Sequence, residues 1–303
     1  MATALQHRGA QTWYADAAGG GSIGYSARFE APVRARYGAG LYREGEQTIA
    51  VAGYLTNTDL PQPILPALLA AYRTQGLLFV SQLRGAFVVA VRDGMQFHVA
   101  RDGAGVRTVY YGQHAGRFLF AIEPKGILIT PGFPRRIRPA AVAQYLTFSF
   151  IPGAGTMLED LHELPAGHVV SYDGTSVGIP QRYFIFEASC EDEHATLDGG
   201  DWVQHFRDTC ARAVAERLPA GEPVGVFLSG GIDSSIVTAE AARQHTHPVK
   251  TYAIHFGKHY PHELDFASAV ARQWRTEHEE VLIRPRDFLP RLRRIIWHLD
   301  DPI

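Results

Sequence analysis

The chain has 303 residues, 46% of them hydrophobic and 20% charged, with a formal net charge of −2, which suits packed cores and two domains of ordinary size. No basic block is present and no apolar run reaches the roughly 18 residues of a membrane helix, so nucleic-acid and membrane partners are not expected. The two cysteines, Cys190 and Cys210, form no C-x-x-C and have no matching histidine spacing, so a disulfide framework or zinc site is not expected and a cytoplasmic location is. The opening MATALQHRG lacks the sustained apolar core of a signal peptide.

In chain order, residues 22–28 and 48–53 are short strand candidates. Residues 61–74 carry apolar side chains at helical spacing, with Pro61 and Pro63 near the start, where proline is tolerated. GAFVVAVRDG and MQFHVARDG read as two strands joined by a tight Arg-Asp-Gly turn, and TVYYGQHAGRFLFAI repeats the pattern with residues 112–116 as its turn. These features predict a layered α+β domain built on antiparallel sheets. Arg101 and Asp102 close a strand, where a charged pair fixes a turn more readily than it serves catalysis. Residues 184–200 are small and acidic and read as a surface linker, with Asp201 a candidate cap for the helix along which Trp202, Phe206, Cys210, Val214 and Leu218 recur.

From Val224 the pattern alternates: strand 224–228, a helix, strand 249–256, helix 263–274, strand 278–283, helix 285–299. Alternation of this kind predicts a parallel sheet with ligands at the carboxyl ends of its strands. The continuous apolar run of the first strand predicts an inner strand covered on both faces. It is broken by Ser229, Gly230 and Gly231, after which Asp233, Ser234 and Ser235 open a helix. Glycines allow close approach, the helix N-terminus offers free N–H groups and a positive dipole end, and hydroxyls and a carboxylate supply phosphate donors and a hard Mg²⁺ ligand. No lysine follows, so this is not a Walker A loop. His255, His259 and His262, with Glu263 beside them, match no usual zinc spacing.

The segment SGGIDSS resembles the pyrophosphate loop of the ATP pyrophosphatases. Together with LQHRGAQTW, ARDGAGVRTVYYG, AIEPKGIL, YLTFSFIPG and LHELPAGH, in that order before it, it makes the chain similar to the asparagine synthetase family. The resemblance implies an αββα sandwich of the Ntn-hydrolase-like, class II glutamine amidotransferase type over residues 1–183, a linker over 184–200, and over 201–303 the first part of a HUP-like α/β parallel-sheet synthetase domain. Both folded domains are expected to be incomplete at the outer ends of this sequence. The resemblance further implies ATP and magnesium as cofactors. Ser229, Gly230, Gly231, Ser234 and Ser235 would bind pyrophosphate, Asp233 magnesium, and Leu228 and Ile254 the nucleotide through backbone, their side chains filling the core. WHLDDPI resembles the family's W-x-L-D-x-P segment and offers Asp300 and Asp301 as metal candidates, while Glu123 and Lys125 resemble residues near the synthetase interface, most simply a plain ion pair. Glu263 matches an acidic family position near the nucleotide.

The glutaminase site is expected to be degenerate. The family's N-terminal nucleophilic cysteine is not present at Met1–Ala2–Thr3, its carboxylate-clamping arginine falls near Ala27 with Arg28 one place off, and its N-G-E motif reads Ala52, Gly53, Tyr54. The function implied is an ATP-dependent amide-forming ligase acting on a small-molecule carboxylate, aspartate by family. One alternative is an intramolecular amide ligase resembling β-lactam synthetases or lasso-peptide cyclases, and another is a noncatalytic nucleotide-binding fragment. A homodimer or a complementing synthetase half is the protein partner these readings leave open.

Overall fold

The computed structural model describes residues 5, 7–8, 11–16, 21–27, 31–186, 199–219, 221–257 and 261–300. The chain divides into two compact units, Met1–Glu187 with Ile296–Ile303, and Ala188–Ile295.

The first unit runs β1 (Gln11–Asp16), β2 (Ser22–Ala27), α1 (Ala31–Arg36), β3 (Gly40–Glu44), β4 (Gln47–Leu55), α2 (Ile64–Gln75), a 3₁₀ segment Gly76–Gln82, β5 (Gly85–Asp93), β6 (Gln96–Arg101), β7 (Tyr110–His114), β8 (Arg117–Ala121), α3 (Pro124–Leu128), α4 (Pro139–Phe148), β9 (His162–Glu163), β10 (His168–Tyr172) and β11 (Gln181–Arg182). A six-stranded antiparallel sheet has the order β11-β10-β6-β5-β4-β3, and a three-stranded one the order β8-β7-β9. The period-2 alternation of each strand builds the layers. Phe87, Val89 and Val91 of β5 pack with Leu68, Leu69, Phe79 and Val80 of α2 and the 3₁₀ segment. The intervening Val88 and Ala90 face Ile23, Tyr111, Phe118 and Phe120 in the space between sheets. Tyr110, Leu119 and Ala121, on the far side of β7 and β8, pack on Ile127 of α3 and on Phe133. The result is helix, sheet, sheet, helix, the αββα sandwich expected.

Several details differ from the sequence reading. Ile64–Gln82 is long and apolar enough to cross a membrane, a stretch the run-length reading passed over; here Gly76 ends α2, and Ile64, Leu68, Leu69, Phe79 and Val80 are buried against the sheet. The β5–β6 turn is Gly94–Met95, since Asp93 pairs with Gln96. The β7–β8 turn is only Ala115–Gly116, both at positive φ, since His114 pairs with Arg117. Gly112 therefore lies within β7, where a Cβ would come 2.6 Å from the Asp160 carbonyl oxygen. Arg101 and Asp102 are structural. The buried Arg101 donates to the carbonyls of Arg107, Leu164 and Gly105 and pairs with Glu163 at 2.8 Å, and the Asp102 carboxylate accepts from the amides of Val106 and Arg107.

The second unit contains α5 (Gly199–Ala215), β12 (Gly225–Phe227), α6 (Ile232–Gln244), β13 (Lys250–His255), α7 (Pro261–Trp274), β14 (Glu277–Leu282) and α8 (Pro285–Leu299), with α8 from Ile296 onward counted in the first unit. Asp201 sits inside α5 rather than capping it, because the helix begins at Gly199. The sheet is parallel, in the order β12-β13-β14. One face is closed by a core of Leu228, Ala253, Ala267 and Ala271.

The expectation of an inner strand covered on both faces is corrected. Among the described residues β12 is an edge, Phe227 is 78% exposed, and Ile254, expected to fill the core, is 53% exposed. The reason is register. Phe227 stands beside Tyr252 and Ile254 beside Val281, on the face opposite Leu228 and Ala253. Between α5 and α6, Trp202, Phe206, Cys210, Ile236 and Ala239 line an apolar groove of about 510 Å³.

Candidate functional site

The loop at the end of β12 is built from its anchors outward. Leu228 is buried, and its amide continues the ladder to the Tyr252 carbonyl at 2.9 Å. The chain then reverses through Gly230 at φ 86°, a left-handed conformation that a side chain would strain. Gly231, the N-cap of α6, has φ −70° and ψ 163°, and makes no side-chain cap. Thr238, fully buried one turn on, donates to the Ser234 carbonyl at 2.7 Å and holds the first turn to the body of the helix.

Gly231 is not required by its own backbone. A Cβ there would meet only Ser229 Oγ, at 3.4 Å. What the missing side chain leaves is space directly before the helix N-terminus, where by helix geometry the amides of Ile232, Asp233 and Ser234 have no intrahelical acceptor. Ser229 Oγ accepts from the Gly231 amide at 3.3 Å and lies 3.1 Å from Ser234 Oγ. Ser234 and Ser235 donate their hydroxyls to the Gly231 carbonyl at 3.2 and 2.7 Å. The serine protons are thus partly spent inside the loop, and the amides are its free donors. Asp233 is exposed in the first turn and makes no hydrogen bond or ion pair among the described residues.

This donor set fits a phosphate with its magnesium. Amides and a positive helix end match phosphate oxygens, and one free carboxylate is the sparse protein contribution that Mg²⁺ takes when phosphates supply other ligands. Leu228 and Ile254 place main chain at neighbouring strand ends, with the Leu228 side chain buried as expected. Among the described residues no three His, Cys, Asp or Glu side chains gather as a metal cluster. His259 and Asp301 lie outside the described residues, as do the side chains of His262 and Glu263, and Arg28.

Asp300 is counted in the first unit. Its carboxylate accepts from Lys125 Nζ at 2.6 Å. Lys125 also pairs with Glu123 Oε2 at 2.5 Å and donates to the Trp297 carbonyl at 2.8 Å, while its ammonium lies 4.5 Å from the centre of the Trp297 ring. Glu123 is buried and further paired with Arg8 and His7. Burial pushes the Glu123 carboxyl up, but hydrogen bonds and charge from Lys125 and Arg8 outweigh it and hold the group below the usual carboxylate range. Sequence reasoning gave only a Glu123–Lys125 ion pair. Partners 172 and 175 positions away leave no local signal.

Of the family's glutamine-clamping positions, Ala27 pairs with Gln11 at the end of β2. Gly53 is glycine for a reason of its own fold: at φ 111° a Cβ would fall 2.0 Å from the Ala86 carbonyl oxygen.

The family model described as a glutamine amidotransferase domain matches residues 65–184, and that described as asparagine synthase matches residues 205–303. The first match falls on the antiparallel αββα sandwich and the second on the parallel α/β unit that carries the serine–glycine loop. Asparagine synthetase [glutamine-hydrolyzing] 1 of Bacillus subtilis is 29% identical over 86% of this chain and 40% of its own length. A putative asparagine synthetase [glutamine-hydrolyzing] of Mycobacterium bovis is 28% identical over 78% of this chain and 37% of its own. The chain is thus similar to asparagine synthetases along both matched segments. It spans about 40% of the length of the curated relatives it matches. A solved glutamine PRPP amidotransferase from B. subtilis aligns over 79% of this chain and 47% of that chain, at 14% identity and a TM-score of 0.31.

Proposed function

We propose that the loop of residues 229–235 binds the phosphates of Mg·ATP and that the chain serves an amide-forming ligase of the asparagine synthetase type, in which a small-molecule carboxylate, aspartate by family, is adenylated with loss of pyrophosphate. The observation that carries this is Gly231, a glycine its backbone does not need, before a helix end that no side chain caps. The amides of Ile232, Asp233 and Ser234 would orient the phosphates, and the dipole of α6 would favour charge growing on the leaving pyrophosphate. Asp233 would hold the magnesium, which when bound neutralises part of that charge. Leu228 and Ile254 would contribute main chain to the nucleotide.

A specific observation favours a second nitrogen source. With Ala27 and the Ala52-Gly53-Tyr54 run where the family carries its glutamine clamps, the reading is a ligase without glutamine hydrolysis, whose amine comes from free ammonia or from the substrate itself. Titration of ATP with and without Mg²⁺, followed by pyrophosphate release with aspartate and with carboxylates bearing an internal amine, tests both. No ATP binding under any condition overturns the nucleotide reading. Binding without pyrophosphate release from any carboxylate overturns the ligase reading and leaves nucleotide binding alone. Ammonia release from glutamine overturns the second proposal.

A further inference from the structure

The cluster around Lys125 is over-built for a plain ion pair. An ammonium has three donors, and here it donates to Asp300 Oδ2 and to the Trp297 carbonyl at 2.6 and 2.8 Å while ion-paired with Glu123 Oε2 at 2.5 Å. Two of these acceptors belong to one short run, residues 297–300, and the same ammonium faces the Trp297 ring. The second face of the run is also held, since the His7 ring meets the Trp297 ring edge-on at 4.5 Å and the His298 ring at 5.7 Å. The Lys125 side chain is only 13% exposed and that of Asp300 11%, so the pair is shielded from the screening that makes surface pairs weak. Charge is balanced within the cluster. The carboxylates of Glu123 and Asp300 are met by Lys125 and Arg8.

Asp300 also has φ 61°, a left-handed conformation that aspartate adopts at a modest cost. The Asp300 amide still reaches the Ile296 carbonyl at 2.8 Å, so α8 is finished by this residue and not by a glycine. In this conformation the carboxylate accepts from Lys125.

We propose that Lys125 is a positioning residue, and that Glu123, Lys125, Arg8 and His7 form a recognition socket in the amidotransferase-like unit for the Trp-His-Leu-Asp run at residues 297–300. Glu123 sets the ammonium, and the ammonium reads one carbonyl, one carboxylate and one indole face. The proposal stands independently of ATP chemistry.

The test uses the full chain with Trp13, Trp202 and Trp274 replaced by phenylalanine, so that emission reports Trp297 alone, and limited trypsin cleavage after the exposed Arg293 and Arg294. Lys125→Met is expected to red-shift the Trp297 emission and to speed cleavage there by roughly tenfold or more, as the open population rises. Asp300→Asn should reproduce both changes in smaller degree, and Lys125→Arg, which keeps a buried cation and several donors, should restore most of the native behaviour. Should Lys125→Met fail to fold by circular dichroism, Asp300→Asn and Lys125→Arg decide. Unchanged emission and cleavage in Asp300→Asn overturns the proposal, and so does a Lys125→Arg variant as open as Lys125→Met in a chain that remains folded.

Discussion

Gly230 and Gly231 are neighbours in one loop, yet only Gly230, at φ 86°, needs to lack a side chain for its backbone. Gly231 sits at φ −70° with a single atom within 4 Å of where its Cβ would lie. The first glycine turns the chain, and the second leaves room.

The pair can therefore be separated by mutation. Gly230→Ala should lower stability by about 1–2 kcal/mol through the left-handed strain. Gly231→Ala should raise it by about 0.4–1 kcal/mol, because alanine restricts the unfolded chain and fits the native backbone, while weakening ATP binding. Urea melts together with ATP titration decide the matter. A Gly231→Ala protein with unaltered ATP affinity would remove the main support for a phosphate site.

Asp233→Ala addresses the metal. The carboxylate contributes only its favourable place at a helix N-terminus, roughly 0.3–1 kcal/mol, so the fold should survive nearly unchanged. The increase in ATP affinity that Mg²⁺ brings to the native chain should vanish, which calorimetric titration at two Mg²⁺ concentrations would detect. Persistence of the full Mg²⁺ effect would move the ligand elsewhere.

Glu123 makes stability pH-dependent with a definite sign. Its folded pKa is depressed below the ordinary 4.5, so on acidification the unfolded chain takes up the proton first. The contribution is complete above pH 4.5 and is lost as pH falls through the lower, folded value. Thermal melts from neutral to acid pH should show a steeper loss below that point in the native chain than in Glu123→Gln. That variant should already be destabilised at neutral pH by about 3–5 kcal/mol, the cost of leaving a buried cation short of its partner. Parallel curves for the two proteins would refute the assignment.

Arg101→Met is expected to cost about 3–5 kcal/mol, since three carbonyls and the Glu163 carboxylate lose their donor in a buried setting. If Arg101 is structural, whatever protein remains folded keeps native ATP affinity. A stable variant that has lost only activity would reverse the structural reading.

The first unit was largely legible because its strands are apolar runs bounded by turn residues. GAFVVAVRDG and MQFHVARDG could be read as paired strands from their apolar runs and the turn between them, and the loop after β12 was evident from its glycines and serines. What was not legible depends on partners. An apolar run such as residues 224–228 predicts burial on both faces, but whether Phe227 is covered depends on neighbours that no local pattern encodes. Gly112 reads as a turn residue until the Asp160 carbonyl is known to lie against it. The Lys125 cluster was half visible, its distant members being invisible to any periodicity.

Tyr183 and Phe184 close the sandwich where the chain leaves it. Their amides donate to the Gly167 carbonyl at 2.9 and 3.2 Å, and the Tyr183 hydroxyl donates to the Arg101 carbonyl at 2.5 Å. The Phe184 ring occupies the place of a Cβ on Gly103. A chain pinned at its point of exit insulates the sheet from strain arising in later segments. Changes of chain length beyond Phe184 are then expected to leave the stability of the sandwich unaltered.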